Sequence, residues 1–288
     1  MNRNRRRGGA VVLMLVMALV AAACGDDGGS DTSTTQGGTG STAPPATSAP
    51  DLGPVKVGIV TTLEGPFVAP GEDGIRGVYL AAAEWGGDKD GNGAVIAGRE
   101  VEFFVEGTDA SAEKARDKMR KLIEEDNVDF IVGPLSGDEG IATARYMRTV
   151  TGKTVLNGTS AAQDTTLDPE IQSDNFFRFS TDGVQWQAGL GDYAYGTKGY
   201  KSMVTIGEDY SFPYSQVMGF MTEYCRAGGH VVEKFWTPIG ATDYSSVIAA
   251  IPESVDAIYV ALGGNDSINF LTQALDFGLD KPLVGGSI

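Results

Sequence analysis

The sequence contains little cysteine and little histidine, which limits the chemistry open to it. Its 288 residues include two cysteines, Cys24 and Cys225, and one histidine, His230, which is predicted to open a strand. A structural zinc site needs four ligands, typically cysteine and histidine, and a Ser-His-Asp triad needs a histidine beside a nucleophile. We therefore expect no metal site, no catalytic triad and no cofactor. Cys225 follows Tyr224 in a helical pattern and is predicted to be a small packed residue.

Basic residues are also scarce. The chain has 22 lysines and arginines against 38 aspartates and glutamates, a formal net charge of −16 at pH 7. Loss of residues 1–23 would remove four arginines and no acid, and would move that charge to −20. Binding to nucleic acid is led by lysine and arginine at the phosphates, so this balance argues against a nucleic-acid partner. An acidic surface favours solubility without identifying a ligand.

The N-terminal apolar run is short. It extends over 14 residues from Ala10 to Ala23, whereas a helix that crosses the hydrocarbon core needs about 20. Four arginines between residues 3 and 7 precede it, and small residues stand before Cys24. A basic head, a short apolar core and small residues before a cut are typical of an export signal. Residues 1–23 are therefore predicted to be a signal peptide.

Cys24 stands where bacterial lipoprotein signals carry the lipid-modified cysteine, and the segment resembles a lipobox, with Ala21 in place of the usual leucine. Cleavage after Ala-x-Ala without lipidation is the alternative. Residues 24–54 are rich in glycine, serine, threonine and proline and are predicted to be a disordered tether, with a reach of about 30 Å. We expect an extracytoplasmic protein, anchored to the outer face of the cell membrane by lipid at Cys24.

From Val55 onward, apolar runs of strand length alternate with amphipathic stretches of helix length. This alternation is typical of an α/β protein with parallel sheets. It starts again after Phe179, which predicts two Rossmann-like, doubly wound lobes over residues 55–180 and 181–288. The clearest helix has Ser111 as its N-cap, and another helix is predicted near Gly183–Tyr195. Because the chain ends just past a strand, we expect a fragment, incomplete at its C-terminus, with part of each lobe missing.

Three loops rich in glycine and hydroxyl groups follow predicted strands, at residues 61–66, 133–137 and 157–161. In open parallel sheets, ligands bind in the crevice beyond the carboxyl ends of the strands. Backbone N–H groups at helix starts attract anions, and serine or threonine hydroxyls add donors. These loops are candidates to hold a small polar solute. The alternative is that their glycines and serines only form turns and caps.

Several of these segments carry a family resemblance. They are Val55–Val60 with Gly65-Pro66, Ile131–Pro134, Asn157–Ala161, Glu208-Asp209-Tyr210, Thr242–Ser245 and Ala274–Leu279. In order and spacing they resemble the branched-chain amino acid-type (Leu/Ile/Val-binding protein-like) periplasmic substrate-binding proteins of ABC importers. The resemblance spans nearly all of residues 55–288. It implies two lobes of the type I periplasmic binding protein fold that are joined by three crossings, close over a ligand and dock on an ABC permease.

The resemblance also implies a set of ligand-binding residues, with lipidation at Cys24 and no metal. They are Ser136, Gly137, Thr159, Ser160 and Ala161 in the first lobe, and Tyr210, Phe212, Gly263 and Ser287 in the second. Gly263 stands where the family has a tyrosine, and Ser287 where it has the acid that pairs with a ligand ammonium. An unpaired buried ammonium is costly, so an amide, a short acid or another small polar solute competes with an amino acid. Asp266 or Glu208 could supply the carboxylate, or could simply cap helices.

The leading interpretation is a solute receptor and not an enzyme. No Gly-x-Ser-x-Gly elbow, Walker loop or Rossmann glycine fingerprint follows the first strand. A sensing module for a signalling partner is the alternative, and a secreted α/β enzyme is a further one. Residues 88–93 match the first half of a calcium loop, but the twelfth position is Arg99. We interpret this segment as an acidic turn between a helix and a strand.

Overall fold

The structure, a computed structural model, describes residues 52–160 and 162–286. These residues belong to one compact unit that runs from Asp51 to Ile288. The predicted signal peptide, Cys24, nearly all of the predicted tether, Ala161 and Ser287 lie outside the described residues. No helix in the described ranges is long and apolar enough to cross a membrane.

A six-stranded sheet, in the order β2-β3-β1-β4-β5-β6, organises the first half of the described chain. All its neighbouring strands are parallel except the β2–β3 pair. The strands are β1 Val55–Thr62, β2 Val95–Ile96, β3 Arg99–Thr108, β4 Phe130–Val132, β5 Thr154–Asn157 and β6 Phe176–Arg178. The valine- and isoleucine-rich β1 lies centrally and is buried from Val57 onward, which is typical of a parallel strand covered on both faces.

Four helices accompany this sheet: α1 Val68–Ala83, α2 Ala112–Arg120, α3 Gly137–Met147 and α4 Asp164–Leu167. The Ser111 hydroxyl accepts from the Lys114 N–H at 3.4 Å, as the predicted N-cap of α2 requires. Met119 and Leu122 are fully buried, the latter in a wider turn that continues α2. They pack with Ile131 of β4 in the core of the first half.

The second half contains a four-stranded parallel sheet in the order β10-β9-β7-β8. Its strands are β7 Ser202–Glu208, β8 His230–Thr237, β9 Ala257–Ala261 and β10 Leu283–Gly285. Its helices are α5 Leu190–Asp192, α6 Ser211–Arg226, α7 Ser245–Ala250 and α8 Gly264–Asp276. Phe220 of α6 stacks on Tyr259 of β9, with ring centroids 4.3 Å apart, so helix and sheet share an apolar core.

The helix predicted near Gly183–Tyr195 is broken in the structure. A 3₁₀ turn at Gln185–Gln187 is followed by Gly189 at φ 85°, and then by the three-residue α5 and a wider turn at Tyr193–Thr197. Gly189 adopts a left-handed conformation that glycine tolerates without a steric penalty, and this interrupts the helix. The prediction of one helix over this segment is therefore wrong in its continuity.

The prediction that Cys225 is packed is wrong, because Cys225 is exposed. It follows the fully buried Tyr224 on α6, and successive residues on a helix point about 100° apart. The acidic turn expected at residues 88–93 is present. One carboxylate oxygen of Asp88 accepts from the N–H groups of Asp90 and Asn92, each at 2.9 Å. Within the described ranges no three histidine, cysteine or acidic side chains form a group able to hold a metal.

The chain passes from the first sheet to the second between β6 and β7. Near this crossing Arg178 and Asp182 form an almost fully buried ion pair with a nitrogen-to-oxygen distance of 3.5 Å. Arg178 also donates to the carbonyl of Ala162 at 2.9 Å. These contacts fix the crossing segment to the first half, where the sequence predicts the change of lobe.

Candidate functional site

The two sheets approach each other through residues that follow the carboxyl ends of their strands. We call these residues the interface cluster: Phe67, Ala110 and Leu135 from the first half, Tyr210 and Phe212 from the second, with Ile239 packed against them. Each of the five principal members is at most 9% exposed. Parallel α/β sheets bind ligands beyond the carboxyl ends of their strands, so both binding edges face this cluster.

The cluster is rich in aromatic rings. The ring centroids of Phe67 and Tyr210 lie 6.0 Å apart across the two halves, and those of Tyr210 and Phe212 lie 6.4 Å apart. Trp186 contacts Phe212 edge-on at 5.2 Å and is 41% exposed, so it borders the cluster. Such rings supply a large apolar surface and π faces to whatever lies between the halves.

Backbone atoms of the two halves also come into close contact. The N–H of Ser211, the first residue of α6, donates to a carboxylate oxygen of Asp138 in α3 at 3.1 Å. A Cβ on Gly137 would collide with the Ser211 hydroxyl, and one on Gly264 would lie 2.5 Å from the carbonyl oxygen of Pro66. Both glycines therefore permit an approach that any side chain would prevent.

The first-half edge is a network of hydroxyl groups around a buried glutamate. Ser136 caps α3, accepting from the Glu139 N–H at 3.3 Å, and its own N–H donates to Glu139 Oε2 at 2.8 Å. The Thr62 hydroxyl donates to the same oxygen at 3.3 Å. Burial raises the pKa of Glu139, while hydrogen bonds from Thr108, Ser136 and Thr62 act in the opposite direction. This arrangement is a capping box embedded in the protein interior.

Two serine hydroxyls near this edge have no hydrogen-bond partner. Ser160 is fully buried and lies against Gly140 of α3, and the hydroxyl oxygen of Ser211 is equally shielded at the start of α6. Unpartnered buried hydroxyls are uncommon in folded proteins and call for an explanation.

The second-half edge holds two acids. Glu208 ends β7 and accepts through Oε1 from the Gly263 N–H at 2.8 Å, and Asp266 accepts through Oδ2 from the Gly240 N–H at 2.7 Å. Gly263 links the two, because its carbonyl also accepts from the Asp266 N–H at 3.1 Å. Glu208 Oε2 and Asp266 Oδ1 have no partner, although both residues are 0% exposed.

Two further hydroxyls belong to the same edge, those of Thr237 at the end of β8 and of Tyr244 before α7, and each can both donate and accept. The Tyr244 hydroxyl lies beside Thr237 and within the field of both acids. We call the four residues Glu208, Thr237, Tyr244 and Asp266 the acid chamber. Burial first, and then the charge of Asp266, raise the pKa of Glu208 to about 8, against the opposing Gly263 bond. Burial likewise raises the pKa of Asp266.

Tyr210 connects the acid chamber to the interface cluster. It is almost fully buried, and its pKa is raised well above the usual value by burial and by four carboxylates. Two of these, Glu208 and Asp266, belong to the second half, and Asp138 and Glu139 belong to the first. Acidic groups of both halves therefore act on Tyr210.

Most of the predicted ligand-binding residues that the structure describes gather around the interface cluster. They are Ser136, Gly137, Tyr210 and Phe212. Ser160 lies against Gly140 of α3, and Gly263 donates to Glu208 at the second-half edge. Thr159 is exposed, donates to the Pro134 carbonyl at 2.9 Å, and lines a pocket of about 420 Å³ beside α1. Ala161 and Ser287 lie outside the described residues, so their positions are not part of this geometry.

Sequence reasoning did not single out several residues at these edges. Phe67 and Asp138 from the first half were not predicted, nor were Thr237 and Ile239 from the second, whereas Leu135 lies in the candidate loop at residues 133–137. Their positions in the sequence could have indicated them, because each residue follows a strand or ends one. Which strand-end residues meet across the halves depends on the packing of the two sheets, which no local pattern specifies.

Comparisons with known proteins agree with this architecture. The sequence profile of a family described as periplasmic binding protein matches residues 54–288. Leu/Ile/Val-binding protein homolog 6 of Brucella melitensis is 22% identical over 236 residues, which cover 81% of this chain and 57% of that relative.

Solved structures give the same result. An ABC transporter substrate-binding protein from Sphaerobacter thermophilus matches with a TM-score of 0.68 and 32% identity, over 81% of this chain and 62% of the other. A solute binding protein of an ABC transporter from R. palustris, in complex with benzoate, matches with a TM-score of 0.73 and 24% identity over the same shares. The chain thus spans less than two thirds of the length of each of these relatives.

Proposed function

The chain belongs to the periplasmic binding protein family, and from this we propose that it is the solute receptor of an ABC importer. Membership confirms the resemblance noted in the sequence, and the solved relatives confirm the type I fold class. These relatives are named as binding proteins and not as enzymes, in agreement with the sequence prediction. The family implies an extracytoplasmic location.

One observation carries the proposal. Strand-end residues of both sheets meet in a single cluster, and unpartnered polar atoms lie beside it on each side. A receptor that encloses a small solute needs an apolar lining with a few placed polar groups, contributed by two bodies that can separate. The interface cluster, Ser160 and the acid chamber have this character.

We assign the ligand contacts to both halves. In the first, Gly137 at the start of α3 offers its backbone N–H and Ser160 after β5 offers an unpartnered hydroxyl, with Thr159 and Ala161 in the same loop. Ser136 contributes as the N-cap that orients the start of α3. In the second, Tyr210 and Phe212 supply the aromatic lining, and Gly263 and Ser287 complete the set. Amino acids, amides, short acids and aromatic acids are candidate solutes, the last because a relative was solved with benzoate.

Binding is proposed to close two lobes, residues 55–180 and 181–288, about the crossing near Ser180–Asp182. The halves touch through the interface cluster and the Asp138–Ser211 hydrogen bond, so solute entry requires them to part. A solute that prefers the closed arrangement shifts the population toward it. Small-angle scattering with and without solute would measure the change in radius.

The receptor is proposed to be exported by residues 1–23 and anchored at Cys24 by lipid. Metabolic labelling with a fatty acid, followed by fractionation, tests this assignment. We expect label in the wild-type protein and in the membrane fraction. Cys24→Ala should remove the label and release the protein, whereas Cys225→Ser, the matched control, should change neither.

The receptor function is tested by thermal unfolding against a panel of amino acids, amides, short acids, aromatic acids, amines and sugars. A solute that binds the native state raises the midpoint temperature in a saturable way. We expect one chemical class to do so without being consumed. Turnover of a compound would replace the receptor by an enzyme, and a flat response to the whole panel would remove the receptor function altogether.

A further inference from the structure

One face of the first sheet is only partly covered. Helix α1 lies against this face, where Ala82 packs with Val57 of β1. The register of the strands continues the same face to Leu156 of β5 and Phe177 of β6. Phe177 and Phe179 are more than half exposed. Parallel sheets are normally covered on both faces, so within residues 52–160 and 162–286 this part of the sheet lacks its cover.

The open part of this face is the pocket of about 420 Å³ beside α1. We call it the apolar groove, and its principal residues are Gly74, Gly77 and Ala81 of α1, Val132 of β4 and Phe179. None of the residues that line it is charged, although 21% of the chain is. The three small residues of α1 leave room for a further helix to approach the sheet closely.

Helix α8 has an exposed apolar stripe on its outer side. Ile268, Leu271 and Leu275 follow the spacing of one helix face and are between 43% and 80% exposed. We call these three residues the α8 stripe. From Gly264 to Leu275 the sequence has one charged residue, Asp266, which is buried. The exposed side of α8 is therefore uncharged over this length, in a chain whose formal net charge is −16.

The groove and the stripe extend from the same contact between the halves. Helix α1 follows the turn Gly65–Phe67, and Gly264 at the start of α8 lies so close to Pro66 that a Cβ would be 2.5 Å from its carbonyl oxygen. From there α1 runs into the first half and α8 into the second. A two-fold axis near this contact brings the groove of each copy to the stripe of the other.

The exposed apolar area is sufficient for a specific interface. Phe177, Phe179 and the three residues of the α8 stripe together expose on the order of 500 Å². Two copies would bury on the order of 1,000 Å², the size at which specific protein interfaces begin. Two copies of such an acidic chain repel each other, and uncharged surfaces are where they can meet with the least repulsion.

We propose that the apolar groove and the α8 stripe form a self-complementary interface through which two copies of this chain make a symmetric dimer. The stripe of each copy packs into the groove of the other and covers the open part of the sheet. The interface lies outside the interface cluster, so dimer formation does not require a bound solute.

The molar mass of the full chain at increasing concentration tests this proposal. Sedimentation velocity or light scattering measures it between about 1 and about 200 μM. We expect the mass to rise from 30.2 kDa toward twice that value, with a Kd on the order of 10 μM.

Two substitutions locate the interface. Gly77→Glu places a carboxylate in the groove, at a position where a Cβ meets no atom within 4 Å. Leu275→Lys places an ammonium on the stripe, at an exposed position. Each alone should weaken dimer formation at least about tenfold, because burial of an unpaired charge is costly. Met218→Lys, on an exposed side of α6, is the matched control and should leave the Kd unchanged.

A mixture of the two variants tests the pairing of groove with stripe. In a mixed dimer the new carboxylate and the new ammonium share one groove–stripe contact, and the other contact keeps its wild-type residues. Opposite charges compensate each other. We therefore expect the mixture to form more dimer than either variant does alone at the same total concentration.

Two results would overturn the proposal. If the full chain stays monomeric over the whole concentration range, the groove and the stripe accommodate something other than a second copy. If a dimer forms and neither substitution weakens it, the copies associate through another surface. The first result needs no variant, and neither bears on solute binding, which the thermal unfolding panel tests separately.

Discussion

Glu139 of the first half and Glu208 of the second half are both 0% exposed and both lie at the carboxyl edge of their sheet, yet their surroundings differ. Glu139 lies among the hydroxyl groups of Thr62, Thr108 and Ser136, which can donate to it. Glu208 receives one backbone bond and otherwise faces the carboxylate of Asp266. Equal burial therefore has different consequences for the two glutamates.

This difference in hydrogen-bond donors distinguishes Glu139, a structural acid, from Glu208, a candidate binding acid. Donors to Glu139 Oε2 offset part of its burial and tie the start of α3 to β1, although Oε1 has no partner, so this glutamate serves the fold. Glu208 has less compensation, because one backbone N–H reaches Oε1 and its Oε2 has no partner. A site that is incomplete by itself is where a ligand adds most.

The pH dependence of stability is expected to show the largest effect. The pKa of Glu208 is raised from 4.5 to about 8 in the folded state, so its proton is held more tightly there than in the unfolded chain. Its stabilising contribution is complete below pH 4.5 and is lost as the pH rises through 8. Between pH 5 and pH 8, we expect a loss of up to about 4 kcal/mol from this group.

Urea unfolding of the wild-type protein and of Glu208→Gln across this pH range measures that loss as a difference. The variant should match the wild type near pH 5 and exceed it increasingly at higher pH. Parallel curves for the two proteins would mean that Glu208 titrates normally, and the contrast with Glu139 would then disappear.

Removal of Glu139 should cost stability outright. Glu139→Ala leaves the Ser136 N–H and the Thr62 hydroxyl without their buried acceptor, and we expect the free energy of unfolding to fall by about 3 kcal/mol. Urea unfolding measures it, with Glu113→Ala on the exposed first turn of α2 as the control. A loss no greater than that of the control would contradict a structural role for Glu139.

We expect loss of Ser136, the N-cap of α3, to lower the free energy of unfolding less than loss of Glu139 does. Ser136→Ala removes an N-cap hydroxyl that also donates to the Ala110 carbonyl at 3.1 Å, and we expect a loss of about 1 to 2 kcal/mol in the free energy of unfolding. Ser111→Ala removes the more exposed cap of α2 and should cost less. Thermal or urea unfolding compares the pair, and an equal cost would indicate that burial of the capping box adds nothing.

The smallest effect is expected at the contact between the halves. Asp138→Asn weakens the charge-assisted bond from the Ser211 N–H, which should favour separation of the halves by about 0.5 to 1 kcal/mol. Small-angle scattering of the solute-free protein should then report a larger radius of gyration. Asp174→Asn, on an exposed loop of the first half, is the control, and identical radii for both variants would show that this bond does not hold the halves together.

Local patterns predicted most of the strands and helices. The run from Val55 to Val60 and the apolar spacing of Met119 and Leu122 both correspond to observed elements. Such patterns work because a buried strand or helix face must be apolar at its own period, wherever it packs. They failed at two residues. The left-handed backbone of Gly189 interrupts a predicted helix, and the orientation of α6 exposes Cys225, which was predicted to be packed.

The sequence by itself determined the α/β class, the strand-end loops rich in hydroxyl groups, and the likeness to Leu/Ile/Val-binding proteins, because each of these is a pattern formed by residues close together in the sequence. Only the tertiary structure decided that Phe67 meets Tyr210 and that Glu208 meets Asp266 beside Gly263. These residues are distant in sequence. Glu208 and Asp266 meet because parallel strands bring their carboxyl ends to one edge, and Phe67 meets Tyr210 because the two sheets pack with those edges facing each other. That same packing removes the two acids from water, and burial is what gives Glu208 its unusual pKa.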